Sequence, residues 1–321
     1  KGGATETWNP RFRGQGYRYV EVTGFPGTPT VDNFEGLVIH TDFEHVGRFT
    51  CSNPTINKIY DAIRWTQRAY IRSLSMEPDR DERQGWLGTQ AKDFESNAYN
   101  FQMAPLLTKW LADIRLDQLP DGQIPDVSPI YWSLYSGGIV WPSNITILPE
   151  VQHDFYGDRR ALEQNYDAMK KWMAFSTRHL KPDFTTDQNR YGDWCDAYSM
   201  DGGKETGETP GALLSTAYYY NNCRIMARVA RLLDKPDDET HFADLAAKIK
   251  SGFNQRFFNA ETNKYAEGTQ TSHVLPLAFG MVDADKRDTV AANLANDVMV
   301  ERKGHLSVGM VGIFWLMQVL T

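Results

Sequence analysis

The stretch Ser75 to Gly88, SMEPDRDERQGWLG, gathers four carboxylates (Glu77, Asp79, Asp81 and Glu82) and two arginines (Arg80 and Arg83), then closes on Trp86 between glycines. A carboxylic acid held against an indole and other carboxylates is disfavoured from ionising, which keeps a glutamate a proton donor near neutral pH, while adjacent arginines pull the other way. An acid beside an aromatic face of sugar size, with guanidinium groups to hydrogen-bond hydroxyls, is the equipment of glycosidic cleavage. The same residues equally describe a salt-bridge cluster on a solvated surface. The stretch by itself leaves both readings open.

Other candidates are sparser. Asp193 and Trp194 in RYGDWCDAYSMDGG place an acid next to an indole in a loop, a pocket pattern that also suits a plain turn. Glu205 and Glu208 in GGKETGETP offer carboxylates for a base, but Thr206 and Thr209 before Pro210 read as a helix start with Glu208 exposed. His305 follows Gly304 at an expected helix start and either reaches the site or faces solvent. His40 and His45 lie at a spacing that does not stack two ligands on one face, so no metal is expected. The acids of VDADKRD and DKPDDE lack a calcium-loop pattern and read as helix caps. No G-x-S-x-G, P-loop or G-x-G-x-x-G occurs, which removes the cues for acyl transfer, phosphoryl transfer and dinucleotide binding; no cofactor is expected.

These residues need elements to hold them. Up to about Phe49, YRYVEVTGFPG and GLVIHTDF alternate or cluster β-branched and aromatic residues between Gly and Pro, which predicts strands. From Ser52 the texture turns helical: SNPTINKIYDAIRW opens on a cap and spaces Ile56, Ile59 and Ile63 along one face. Further helices are expected near 86–100, 104–117, 141–156, 158–180, 209–233, 237–258, 269–281, 283–300 and 305–320. Short turns join many of them, which favours antiparallel hairpins arranged as a closed toroid. Two long loops, 118–140 and 182–208, are rich in Pro, Gly, Asp and aromatics and are expected to be functional.

Composition bounds the partners. With 321 residues, 41% of them apolar, the chain has enough to bury a large core. Its net charge of −7, with lysines and arginines scattered, argues against a nucleic-acid surface, and no apolar run is long enough to span a membrane. The three cysteines form no C-x-x-C pair, so neither a zinc site nor a disulfide scaffold is expected. Nine tryptophans, several beside Gly, Pro or Asp, suggest stacking surfaces for a neutral ligand. The last helix candidate runs to the chain end without a stop signal, so the chain reads as cut there.

The charged stretch resembles the signature of inverting α-L-rhamnosidases, D-C-P-x-R-D-E-R-x-G-W-x-G-D, and here runs from Met76 to Thr89. Further blocks resemble the same family in order: GYRYVEVTG, FTCSNPTINKIYDAIRWTQ, FYGDRRALEQNYDAMKKWM, RYGDWCDA, TPGALLSTAYYYNNCRIMARVARLL and GHLSVGMVGIFWLMQVLT. The resemblance implies a mainly α fold, an (α/α)6 toroid over residues 49–321 that is incomplete at its C-terminus, the last helices missing, and is preceded over 1–48 by the last strands of a β-sandwich and a linker. It implies Glu82 as general acid, Arg80 and Trp86 as sugar-site residues, Trp141 and Trp194 as further aromatics with Asp193 beside the second, and His305 as a residue reaching the pocket. The base would be a glutamate beyond Thr321, so this chain is expected to turn over weakly or not at all. Three departures bear on the substrate: Met76, Thr89 and Asn144 stand where aspartates are expected, and none replaces a charged acceptor in full. The expected activity is inverting hydrolysis of a terminal α-L-rhamnosyl or related sugar; the alternative is a carbohydrate-binding member without catalysis. Polysaccharide degraders of this kind suggest a periplasmic or extracellular location. Oligomeric state is not legible.

Overall fold

The computed structural model describes residues 3–14, 16–74, 82–197 and 207–321, except the side chains of 89–92. Met76, Arg80, Glu205 and the side chain of Thr89 lie outside the described residues.

Ten α-helices carry the fold: α1 (Pro54–Tyr70), α2 (Leu87–Asn100), α3 (Ala104–Asp117), α4 (Asn144–Tyr156), α5 (Arg159–Thr177), α6 (Gly211–Leu232), α7 (Pro236–Phe257), α8 (Gln270–Phe279), α9 (Arg287–Asn296) and α10 (Met310–Leu320). Local chemistry starts and stops them. Asn53 accepts from the amides of Thr55 and Ile56 ahead of Pro54, Asp158 accepts from the amide of Arg160, and Thr269 accepts from that of Ser272. Gly157 and Gly280, both left-handed, terminate α4 and α8.

The even-numbered helices pack in a ring: α2 on α4, α4 on α6, α6 on α8, α8 on α10, and α10 back on α2. Their burial shows why these are the inner ones. Every residue of α8 except Ala278 is buried, and α4 is buried from Asn144 to Pro149, so neither helix shows water a polar face along those stretches. The outer helices are amphipathic instead. α5 buries Leu162, Tyr166, Met169 and Met173 on one face and leaves the other to solvent, and α7 lies against α6 in the most extensive helix pair. This alternation of inner and outer helices is the hairpin toroid expected.

Three expectations need correction. The helix expected from residue 305 starts at Met310, and residues 305–309 approach it in non-helical conformation. The helix expected over 283–300 is the shorter α9 followed by a π turn, Asp297–Glu301. No strand ladder forms in the described residues before Phe49; Tyr17, Tyr19, Leu37, Val38 and Ile39 are exposed. A ladder needs a partner strand along its length, and among the described residues the segment pairs with the helical body only near its end, where Thr41 donates its amide to Ile71 and His45 bridges Phe101. A small antiparallel hairpin, β1 (Phe258–Asn259) with β2 (Lys264–Tyr265), was not anticipated. Likewise Ile56, Ile59 and Ile63 on α1, an apolar face by spacing, remain exposed because no described element covers them.

Candidate active site

The second half of the charged stretch is strapped down like a short strand. Ser128 donates its amide to the Gly85 carbonyl at 3.0 Å, Trp86 bridges Val127, and Leu87 donates its amide to the Asp126 carbonyl at 2.9 Å. Gly85 is required by this approach, since a Cβ there would lie 2.1 Å from the Ser128 oxygen. Ser128 is itself fixed, its carbonyl accepting the Trp110 indole N–H at 2.7 Å and its hydroxyl donating to Asp117. The loop that ends at Trp86 is thus clamped to segment 126–128 before α2 begins.

Within that clamp Glu82 is exposed, and its Oε1 accepts the indole N–H of Trp86 at 3.1 Å. Arg83 follows at φ 55° and Cys195, beside Trp194, sits at φ 58°. Each left-handed non-glycine costs on the order of 1 kcal/mol and persists where surrounding structure over-determines it, as functional loops do.

The loop 182–197 brings Tyr191 into the centre of three indoles. Its ring centroid lies 5.9 Å from Trp86 and 6.0 Å from Trp194, both edge-to-face, and 4.6 Å from Trp141 at a tilt of 37°. Trp86, Tyr191 and Trp194 are half-buried and form an aromatic floor beside Glu82. Trp141 is buried, packed against Gly88, where a Cβ would lie 2.1 Å from its Cε2. The Tyr191 hydroxyl donates to Asp126 Oδ2 at 2.9 Å, and Ser136 donates to Oδ1 at 2.9 Å. Burial pushes the Asp126 carboxyl up to about 6 against those two hydrogen bonds.

Asp193 performs a different task from its neighbours. Its carboxylate is buried and accepts from the Thr271 hydroxyl and from the amides of Gly309, Val311 and Gly312, at 2.9, 3.0 and 3.2 Å for the three amides. It caps the N-terminus of α10 from a loop more than a hundred residues earlier. Gly309 permits the contact, because a Cβ there would lie 2.2 Å from the Asp193 carbonyl oxygen.

Residues 44–321 match the family described as the bacterial alpha-L-rhamnosidase 6 hairpin glycosidase domain, and residues 1–40 match the bacterial alpha-L-rhamnosidase concanavalin-like domain. The chain belongs to the bacterial alpha-L-rhamnosidase family. An alpha-L-rhamnosidase of Streptomyces avermitilis is 34% identical across all of this chain and 30% of its own length, and one of Formosa agariphila is 31% identical across 98% and 34%. The crystal structure of the Streptomyces avermitilis enzyme complexed with L-rhamnose superposes with a TM-score of 0.90 at 32% identity, over 98% of this chain and 29% of that one. The structure of alpha-L-rhamnosidase from Dictyoglumus thermophilum gives a TM-score of 0.87 at 36% identity, over 92% and 33%. The chain therefore spans about a third of the length of these relatives.

Against that family background, the structure brings Glu82, Trp86 and Trp194 around one floor. It moves other expected contacts beneath or away from it. Trp141 is a buried support rather than an open stacking face, and Asp193 is a helix cap whose oxygens are occupied by protein donors. Asn144 is buried at the start of α4, donating its side-chain Nδ2 to the Leu87 carbonyl, while its Oδ1 has no hydrogen-bond partner. His305 is exposed on the segment leading to α10, with its carbonyl accepting from Gln270 at 3.3 Å. Glu208 is exposed and its amide donates to Asp196 at 2.8 Å. No cluster of metal-ligating side chains occurs among the described residues. Tyr191 and Asp126 were missed by the sequence reading. The signals were present: Tyr191 lies three residues before Trp194, and Asp126 sits in a long loop already expected to be functional.

Proposed function

We propose that the protein of which these residues form the catalytic toroid hydrolyses a terminal α-L-rhamnosyl bond, or a closely related one, with inversion. The observation that carries the proposal is Glu82, a solvent-facing carboxyl held by the Trp86 indole N–H at 3.1 Å beside the floor of Trp86, Tyr191 and Trp194. Pyranose rings present C–H faces to indoles, so the floor supplies apolar contact to the ring while leaving its hydroxyls to polar groups. Glu82 would protonate the departing glycosidic oxygen, and a second carboxylate, about 6.5–9.5 Å away, would activate water from the opposite face. Asp193 is unsuited to that second role, because its carboxylate is sealed from water and already accepts several donors. The base is expected beyond residue 321. Residues 1–48 are read as part of a preceding β domain, and residues 49–321 as the toroid.

The test is hydrolysis of p-nitrophenyl α-L-rhamnoside and a panel of related glycosides by a chain extended to the length of its relatives, with Glu82→Gln alongside. Loss of the acid is expected to lower kcat by roughly 10²- to 10⁴-fold on substrates with poor leaving groups. Undiminished hydrolysis, by Glu82→Gln, of the glycosides in that panel with poor leaving groups would sink the assignment of the acid. Saturable sugar binding without hydrolysis of any glycoside would favour a carbohydrate-binding member of the family.

A further inference from the structure

We propose that Tyr191 is the positioning residue of the sugar floor: tied to Asp126 through its hydroxyl, it sets the angle between the indoles of Trp86 and Trp194. The inference rests on reading those indoles as the sugar-binding walls. The two walls come from segments far apart in sequence, one preceding α2 and one in the loop 182–197, so something must fix their register. Asp126 touches both. Its backbone carbonyl accepts from Leu87, the residue after Trp86, and its carboxylate accepts from Tyr191, three residues before Trp194. It is itself immobile: it is buried, its amide donates to the Leu134 carbonyl at 2.9 Å, and Ser136 holds its other carboxylate oxygen.

Tyr191 converts that anchor into an orientation. Its ring stands at 87° to Trp86 and 88° to Trp194, with Trp141 packed against it at 4.6 Å and Gly88 beneath Trp141. Edge-to-face contacts are weak and broad in angle, so packing by itself would let the ring tilt and carry both indoles with it. A hydrogen bond to a buried carboxylate is directional and stronger than a neutral one. The phenol therefore acts through the tryptophans, and not through its own contact with the reacting bond.

The experiment is titration of L-rhamnose against tryptophan fluorescence in a chain extended to the length of the relatives, with Tyr191→Phe, Asp126→Asn, the double variant and Trp86→Ala. Near-ultraviolet circular dichroism and thermal unfolding are recorded on each. Tyr191→Phe keeps the ring and loses the tie; it is expected to remain folded, to alter the tryptophan bands and to weaken L-rhamnose binding about tenfold. The double variant should bind no more weakly than the weaker single, because both changes break one interaction. Unchanged affinity in Tyr191→Phe, with binding lost in Trp86→Ala, would overturn the positioning role and leave the floor intact. A wild type without a saturable response would overturn the reading of the floor and the proposal together. Should Asp126→Asn not fold, Tyr191→Phe alone decides.

Discussion

Two carboxylates near the floor show how environment sets a residue's work. Asp126 is buried with a carboxyl pushed up to about 6 from 3.8. The folded protein therefore holds a proton there that the unfolded chain releases, and stability falls as pH rises between those values. The carboxyl's contribution is present in full below about pH 4 and lost through pH 6, a change of about 3 kcal/mol. Urea unfolding of wild type and Asp126→Asn should show the wild-type advantage shrinking by that order from pH 4 to 7; a constant gap would refute the shift. Asp193 is the opposite case, a carboxylate consumed by donors. Asp193→Ala takes the acceptor from the Thr271 hydroxyl and from the amides of Gly309 and Val311 at the start of α10, and should cost about 3 kcal/mol, read as a lower urea midpoint. The pairing of Glu82 with Trp86 was legible because both lie in one short stretch. The buried state of Trp141 and Asn144 was not, because burial depends on α2 and α4 meeting.

At the scale of elements, helix limits followed closely from sequence. α3 has the expected limits, α2 differs by one residue at its start and α7 by one at each end, because caps, prolines and apolar spacing act within a few residues. α9, shortened by the π turn that follows it, and α10 are the exceptions, and α10 shows why. Its start is set by Asp193, whose carboxylate reaches the amides of Gly309, Val311 and Gly312 from a distant loop. Gly88 illustrates a helix position chosen by a neighbour. Alanine would improve helix propensity by about 1 kcal/mol, yet its methyl would collide with Trp141 at 2.1 Å. Overpacking costs about 1–3 kcal/mol and should win, so Gly88→Ala is expected to lower the melting temperature and disturb the tryptophan near-ultraviolet signal. A raised melting temperature would mean Trp141 yields without cost.

For the whole molecule, the ring of inner helices divides well-packed structure from the segment before it. α4, α6 and α8 are buried along most of their length, whereas Arg11, Arg18 and the aromatics Tyr17 and Tyr19 are exposed, with no strand ladder around them among the described residues. Protease sites in unpaired, exposed backbone are cut first. Brief trypsin digestion of this chain should therefore cleave at Arg11 or Arg18 before any site within α4 to α8, as mass spectrometry of the fragments would show. Equally fast cleavage inside the inner helices would contradict the packing described.

The sequence by itself determined the helices, their alternation into hairpins, and the acid beside its indole. Each is decided by residues within a few positions of one another. What Asp193, Trp141 and Tyr191 do was decided only in the tertiary structure. A carboxylate's role depends on which donors converge on it and whether water reaches it, and those donors arrive from elements more than a hundred residues away. The aromatic floor exists for the same reason: its rings come from separate loops that the closed ring of helices brings to one place.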